Sequence, residues 1–230
     1  MTPLRVVLAS NNAGKLAELR ALLGSPAIAL VPQRELGIAE ADEPHLTFIE
    51  NALAKARHAA AAARGAAIAD DSGLVVPALA GAPGVASAVY AAHPAAGAGA
   101  AAADVPRDVP RDVPRDVPRD APRQARRAVQ DAANNALLLD RLQGQGDRRA
   151  YFVGTLVALR HAADPEPLVA IGRWSGEILE APRGQGGFGY DPLLFIPALG
   201  RSVAELPPET KNRHSHRAQA AARMRRLMAE

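Results

Sequence analysis

The sequence predicts an α/β protein built on a mixed β-sheet with flanking helices. Two observations point there. Apolar runs of strand length alternate with segments of helical length, the pattern of strands joined by covering helices. The strand candidates in the middle of the chain, 150–160 and 168–175, are long, as interior strands of one sheet are. Each element follows from local chemistry. Residues 5–9 are a continuous apolar strand after Arg5, and residues 14–23 form the first helix. A short strand lies at 28–31. Thr47-Phe48-Ile49-Glu50 has the form of a capping box and opens a helix running to about residue 64. Residues 66–69 read as a buried strand ending in Asp70-Asp71-Ser72-Gly73, with a further strand-like piece at 74–76. After Tyr90 the pattern stops. It resumes with a helix at 125–142 and the two long strands. A Gly-rich loop at 184–189, Tyr190-Asp191-Pro192 and a strand at 193–196 follow. Ser215 is positioned to cap a last helix reaching residue 228, whose Arg223, Arg225 and Arg226 suit a helix C-terminus.

The interruption is a tandem repeat. Residues 95–103 are rich in Ala and Gly, and Asp104-Val105-Pro106-Arg107 recurs through residue 119, with a degenerate copy at 120–123. A proline in every fourth position is incompatible with both helix and ladder. Each unit carries no net charge and one valine, too little apolar surface for a core. The expectation is therefore one domain over residues 1–230, carrying a low-complexity, disordered insertion at about 92–124.

Composition removes several classes. With 230 residues the chain can bury a real core, and 48% hydrophobic with 22% charged residues is ordinary for a globular protein. The absence of cysteine excludes disulfides and thiolate chemistry. No apolar run approaches the roughly 20 residues of a membrane span. Residues 5–9 read as a strand and not as a signal peptide, so no membrane and a cytoplasmic location are expected. A net charge of +3 is too small to argue for nucleic acid as a partner. Of 27 Lys and Arg residues only Lys15, Lys55 and Lys211 are lysine. In a chain that uses Arg so heavily, those three mark positions that need a compact point charge and not a planar fork.

Four clusters carry chemistry. Ser10, Asn11, Asn12, Ala13, Gly14 and Lys15 join a strand end to a helix start, where free N–H groups and the positive end of the helix dipole favour an anion. The segment is not a Walker A loop, because Leu16 follows the lysine. A capped helix start that binds nothing is the competing reading. Asp70 and Asp71 end an apolar strand, where open α/β sheets place ligands. Adjacent residues of an extended chain point to opposite sides, so one carboxylate can face a site while the other holds the structure. Hard carboxylate oxygens suit Mg²⁺, although a solvated turn would use the same residues. In the third, Phe188 lies between Gly187 and Gly189 in a chain only 3% aromatic. A ring presented that way can stack on a base, worth about 1–3 kcal/mol, or plug the core. Lys211, His216 and Arg217 sit together near the end, placed for a phosphate or a base carbonyl. His214 and His216 lack a third nitrogen or sulfur ligand nearby, which argues against zinc.

Six motifs in order resemble the inosine triphosphate pyrophosphatase family, the non-canonical purine nucleoside triphosphatases also called XTP/dITP diphosphatases. They are residues 10–15, 47–52, 69–74, 81–85, 187–192 and 215–217, and the resemblance covers nearly the whole chain apart from residues 92–124. It implies hydrolysis of ITP, dITP and XTP to the monophosphate and pyrophosphate, cleansing the nucleotide pool. It also implies Mg²⁺, a homodimer, and an elongated sheet with two lobes around a central cleft. Carried over residue by residue, Ser10 to Lys15 bind the triphosphate. Asp71 is the proton acceptor and a metal ligand, Glu43 a second metal position, and Ser72 a substrate contact. Lys55 lies on the helix that starts at the cleft. Phe188 stacks on the base with Gly189, Tyr190 and Asp191 beside it, and Lys211, His216 and Arg217 complete base recognition. One departure stands out: the family has Arg where this chain has Val89.

Overall fold

The computed structural model describes residues 3–92 and 123–229, so most of the repeat-bearing insertion lies outside the described residues. Seven strands form one mixed sheet in the order β2-β1-β3-β4-β5-β6-β7. In chain order they are β1 (Leu4–Ala9), β2 (Ile28–Pro32), β3 (Ala66–Val75), β4 (Arg149–Leu159), β5 (Leu168–Ile178), β6 (Leu194–Ile196) and β7 (Arg201–Ser202). The helices are α1 (Ala13–Leu23), α2 (Phe48–Ala63), α3 (Arg123–Arg141), α4 (Pro208–His214) and α5 (His216–Leu227). β1 pairs in parallel with β2 and β3, with Val7 opposite both Val31 and Ala67. β6 runs antiparallel to β5 and β7. The α/β class with a mixed sheet is therefore as predicted.

The chain divides into two compact units. The first comprises Met1–Ser72, Val153–Trp174 and Pro208–Glu230. Its sheet is covered on both faces, and the period-2 alternation of β1 sorts the core. Val6 and Leu8 pack with Leu16 and Leu19 of α1 and with Ala220, Ala221 and Met224 of α5. Val7 and Ala9 pack with Ala52, Ala56, Ala59 and Ala60 of α2. The α2 alanines recur at helical spacing, and their small size lets the helix lie close to the strands. A fully buried leucine such as Leu8 or Leu19 contributes about 1.5–3 kcal/mol.

The two predicted caps, Thr47 and Ser215, are present, and Asn12 supplies a third. The Asn12 side chain accepts the Lys15 N–H at 3.1 Å, and Ser215 Oγ accepts the Ala218 N–H at 3.1 Å. Thr47 Oγ1 accepts the Glu50 N–H at 3.2 Å, while its hydroxyl donates to the Glu50 carboxylate at 2.7 Å. The close approach of α5 to β5 depends on Gly172. A Cβ there would fall 2.0 Å from the His216 carbonyl oxygen and 2.7 Å from the Ala220 nitrogen.

The second unit comprises Gly73–Phe152 and Ser175–Pro207. Within it α3 carries two buried amides. Asn134 accepts the Ala91 N–H at 2.8 Å and donates to the carbonyls of Ser87 and Ala88, both at 3.2 Å, while Gln130 donates to Asn134 at 2.9 Å. Val89, the departure from the family pattern, lies in the segment that this network fixes.

Four elements differ from expectation. β3 does not stop before Asp70 but runs unbroken through Asp70-Asp71-Ser72-Gly73 to Val75. β5 reaches Ile178, because outward-facing polar residues alternate with buried Trp174, Gly176 and Ile178. The short elements α4 and β7 were not predicted; neither is long enough to show a period.

Candidate active site

Parity along β3 builds the site. Ile68 faces the α1–α5 side of the first unit, and Ala67 and Ala69 face the α2 side. Continuing the alternation puts Asp70 and Ser72 toward α1 and α5, and Asp71 toward α2. The contacts agree. Asp70 Oδ2 lies 2.8 Å from Lys15 Nζ of α1, and its Oδ1 is 3.4 Å from Arg217 Nε of α5. Ser72 Oγ donates to Asp70 at 3.1 Å and accepts from Arg217 Nη2 at 2.9 Å. On the other side Asp71 Oδ1 lies 2.8 Å from Lys55 Nζ of α2. The two carboxylates thus take different cations from different helices, as the alternation requires.

Lys55 is saturated. Its ammonium donates to Asp71 Oδ1 at 2.8 Å, to the Asp70 carbonyl at 2.8 Å and to Glu43 Oε1 at 3.0 Å. Burial alone would lower its pKa, but Asp71 and Glu43 outweigh burial and hold it above the ordinary value. Burial would likewise raise Asp70, yet Arg217 and then Lys15 outweigh it and keep this carboxyl far below the usual range. Asp71 goes the other way: burial pushes it up, Lys55 and Lys15 oppose, and Glu43 adds to the rise. Asp70 is therefore a fixed anion that anchors two cations. Asp71 is the carboxylate with proton affinity to spare.

Glu18 of α1 belongs to the same cluster and was missed from sequence. Its Oε1 pairs with Lys211 Nζ at 3.0 Å, and its Oε2 accepts from Arg217 Nη1. Nothing local marks it, because its partners lie nearly two hundred residues away and meet it only when α1 packs against α4 and α5. His216 is buried beside Arg217, and burial first, then Arg217, depress its pKa well below the ordinary value. Lys211 and Lys15 add to that effect, and Asp70 opposes it. His216 is therefore a neutral imidazole. Lys15, Lys55 and Lys211, the only three lysines, all fall around these carboxylates: Lys15 on Asp70, Lys55 on Asp71, and Lys211 on Glu18, which shares Arg217 with Asp70.

The site suits a hard divalent cation. Among the described residues no cluster of three or more His, Asp or Glu side chains is placed to hold a metal; the carboxylates that would serve a cation here are Asp71 and Glu43, which share Lys55. Asp71 Oδ2 is buried with no hydrogen-bond partner, an acceptor left over after Lys55 has been served. Mg²⁺ takes one or two carboxylates and completes its shell with water and phosphate oxygens, so this pair fits it. Ser10 accepts the Asn12 N–H at 3.3 Å, and Asn11 Oδ1 is a second buried acceptor without a partner.

In the second unit, the aromatic turn is equally well defined. Gly187 and Gly189 both adopt positive φ, +74° and +64°. The Asp191 carboxylate accepts the Phe188 N–H at 2.9 Å, and a Cβ on Gly187 would fall 2.0 Å from that carboxylate oxygen. Phe188 is half-buried, whereas Tyr190 is buried and donates its hydroxyl to the Ser87 carbonyl at 3.0 Å. The predicted base-contact residues thus divide: Phe188 stays partly exposed, and Tyr190 holds the turn to the segment around Ser87.

A mixed sheet with paired carboxylates running through its third strand, and lysines and an arginine converging on them from three helices, defines an α/β protein with a buried, highly charged polar centre. The chain belongs to the Ham1 family, whose model matches residues 6–105 and 121–227. It is 65% identical over 225 residues to a dITP/XTP pyrophosphatase of Methylibium petroleiphilum, covering 98% of this chain and 97% of that one. It is 60% identical to the dITP/XTP pyrophosphatase of Leptothrix cholodnii, with coverage of 98% and 97%. A solved HAM1 protein from Coxiella burnetii superposes with a TM-score of 0.77 at 37% identity, covering 98% of each chain.

Proposed function

We propose that this chain hydrolyses non-canonical purine nucleoside triphosphates, dITP, XTP and ITP, to the nucleoside monophosphate and pyrophosphate. The observation that carries the reading is Asp71: a buried carboxylate with raised proton affinity and one unsatisfied oxygen, beside Glu43 and Lys55 and across β3 from Lys15. The names of the relatives at 60% and 65% identity support the same substrate class.

In this reading Asp71 takes a proton from water as its oxygen bonds to the α-phosphorus. The bond from that phosphorus to the oxygen bridging to the β-phosphate breaks, and pyrophosphate leaves with the electron pair. Mg²⁺ held by Asp71 and Glu43 supplies charge neutralisation on the phosphate oxygens when bound. Lys15 stabilises negative charge on the leaving group, and Asp70 keeps its ammonium in place. Ser10 to Gly14 contribute N–H groups and side-chain amides at the head of α1. Phe188 stacks on the base. Lys211, His216 and Arg217 recognise its polar edge, with neutral His216 able to accept or donate one hydrogen bond. A donor aimed at a 6-oxo group meets another donor in adenine, so ATP is rejected. The working form in this reading is a cytoplasmic homodimer. In support of a location away from the bilayer, no helix among the described residues is long and apolar enough to cross a membrane.

The test is pyrophosphate release from ITP, dITP, XTP, GTP and ATP, with and without Mg²⁺. The expected result is Mg²⁺-dependent release of one pyrophosphate per ITP, dITP or XTP, with GTP and ATP turned over far more slowly. Orthophosphate without pyrophosphate, or ATP hydrolysed as fast as ITP, overturns the reading.

A further inference from the structure

The turn carrying Phe188 is gripped from helix α3 by two residues that the proposed chemistry does not use. Asp131 Oδ2 accepts the Gly189 N–H at 2.8 Å, and Asn135 Nδ2 donates to the Gly189 carbonyl at 3.1 Å. The two side chains are one helical turn apart, so a single face of α3 meets one glycine from both ends. Asp131 is itself steadied by Arg127 Nε at 3.0 Å. All of these residues lie in the second unit.

These bonds define how the Phe188 ring is held. The peptide before Phe188 is fixed by its N–H to Asp191 at 2.9 Å. The peptide after it is fixed by the Gly189 N–H to Asp131. The Phe188 carbonyl accepts the Asp191 N–H at 3.3 Å. With both flanking peptide planes held, φ and ψ of Phe188 are set, and so is the direction of its Cα–Cβ bond. Gly189 needs help to stay where it is. It sits at φ +64° with no atom within 4 Å of an added Cβ, so its glycine serves backbone freedom and not close packing. A glycine that free costs conformational entropy to order, and the two α3 side chains are what orders it.

We propose that Asp131 and Asn135 are positioning residues for Phe188: a two-point clamp on Gly189 that fixes how the ring meets a purine base and thereby sets affinity for the base. The clamp rests on the stacking role given to Phe188 above. It also ties that role to α3, the helix that follows the repeat-bearing insertion.

The experiment combines a double-mutant cycle with amide exchange. Asp131→Ala and Asn135→Leu are made in the full chain, alone and in a Phe188→Ala background, and ITP hydrolysis is measured with Mg²⁺. Each single variant is expected to raise KM for ITP about five- to tenfold, the scale of one hydrogen bond, with kcat changed less than about twofold. In the Phe188→Ala background the same substitutions are expected to add nothing, because the ring they position is gone. In parallel, the Gly189 amide is expected to be protected from hydrogen exchange in the parent chain and to lose protection in Asp131→Ala, which leaves no side-chain acceptor. Equal KM increases with and without Phe188 would assign the two residues a merely structural role and overturn the proposal. Unchanged exchange at Gly189 would overturn it too. If Phe188→Ala itself leaves KM unaltered, the stacking reading fails, and loss of Gly189 protection with no KM effect identifies that failure separately from failure of the clamp. Asn135→Leu, which removes no charge, keeps the test open if Asp131→Ala does not fold.

Discussion

Lys15 Nζ lies 2.8 Å from Asp70 Oδ2, with the Asp70 side chain fully buried and the lysine 17% exposed. A lysine at a helix start that looked from sequence like a free phosphate ligand is held in place by the strand beside it. The partnership places the ammonium while leaving part of it reachable, which is what an anion-binding group requires.

Asp70 is accordingly predicted to be an anchor. Asp70→Asn leaves Arg217 and Lys15 facing a neutral amide inside the fold, and breaking a buried charge pair from one side costs about 3–5 kcal/mol. Urea unfolding followed by circular dichroism measures it. A midpoint within error of the parent would show that Glu18 and Ser72 alone satisfy Arg217.

Asp71→Asn is predicted to separate from its neighbour in the opposite sense. Lys55 keeps Glu43 and the Asp70 carbonyl, so the fold survives, while the proton acceptor is lost. The expected fall in kcat for ITP is about a hundredfold or more. Turnover at the parental rate in a folded variant would move the acceptor elsewhere.

His216 gives a pH dependence with a definite sign. Its folded pKa is depressed by burial and then by Arg217, so the unfolded chain binds its proton at a pH where the folded one does not. Stability therefore rises with pH up to the unfolded value near 6.5 and is lost as pH falls below it, by at most about 1.4 kcal/mol per pH unit for this one proton. Melting temperatures at pH 7.5, 6.5 and 5.5 read the slope, and His216→Gln is expected to flatten it. A slope unchanged in the variant would place the linkage on another group.

Gly172→Ala tests how α5 is carried. The added methyl collides with the His216 carbonyl and the Ala220 nitrogen, both backbone atoms that cannot rotate away. The predicted loss is about 3 kcal/mol or more, at the severe end for a single substitution. ITP hydrolysis falls with it, because His216 and Arg217 travel with the helix. A melting temperature like the parent's would mean that β5 yields instead.

Some of this could be read before any coordinates. Asn12, Thr47 and Ser215 cap their helices as local rules require, and the alternation through residues 67–72 already assigned Asp70 and Asp71 to opposite sides. The scarcity of lysine singled out three positions, and the structure pairs each of them with a carboxylate. What could not be read has a common cause. β3 continues through two aspartates because cations from α1, α2 and α5 neutralise them, up to 147 residues away in the chain. Glu18 looks like any exposed helix glutamate until α4 and α5 arrive. Asp131 and Asn135 lie in a segment whose local pattern says only helix.

The pairing of every lysine with a carboxylate has a chemical corollary. Acylating reagents attack an amine that is both neutral and reachable. Here the side chains are 17%, 11% and 9% exposed and each is bonded to a carboxylate. In the folded chain those amines are poor nucleophiles, whereas the numerous arginines do not react with such reagents at all. Acylation of Lys15 or Lys55 therefore reports an opening of the α1–β3–α2 region, and acylation of Lys211 an opening between α4 and α1, not the outline of the surface. A time course of lysine modification, followed by mass, becomes a clock for how often this charged centre breathes.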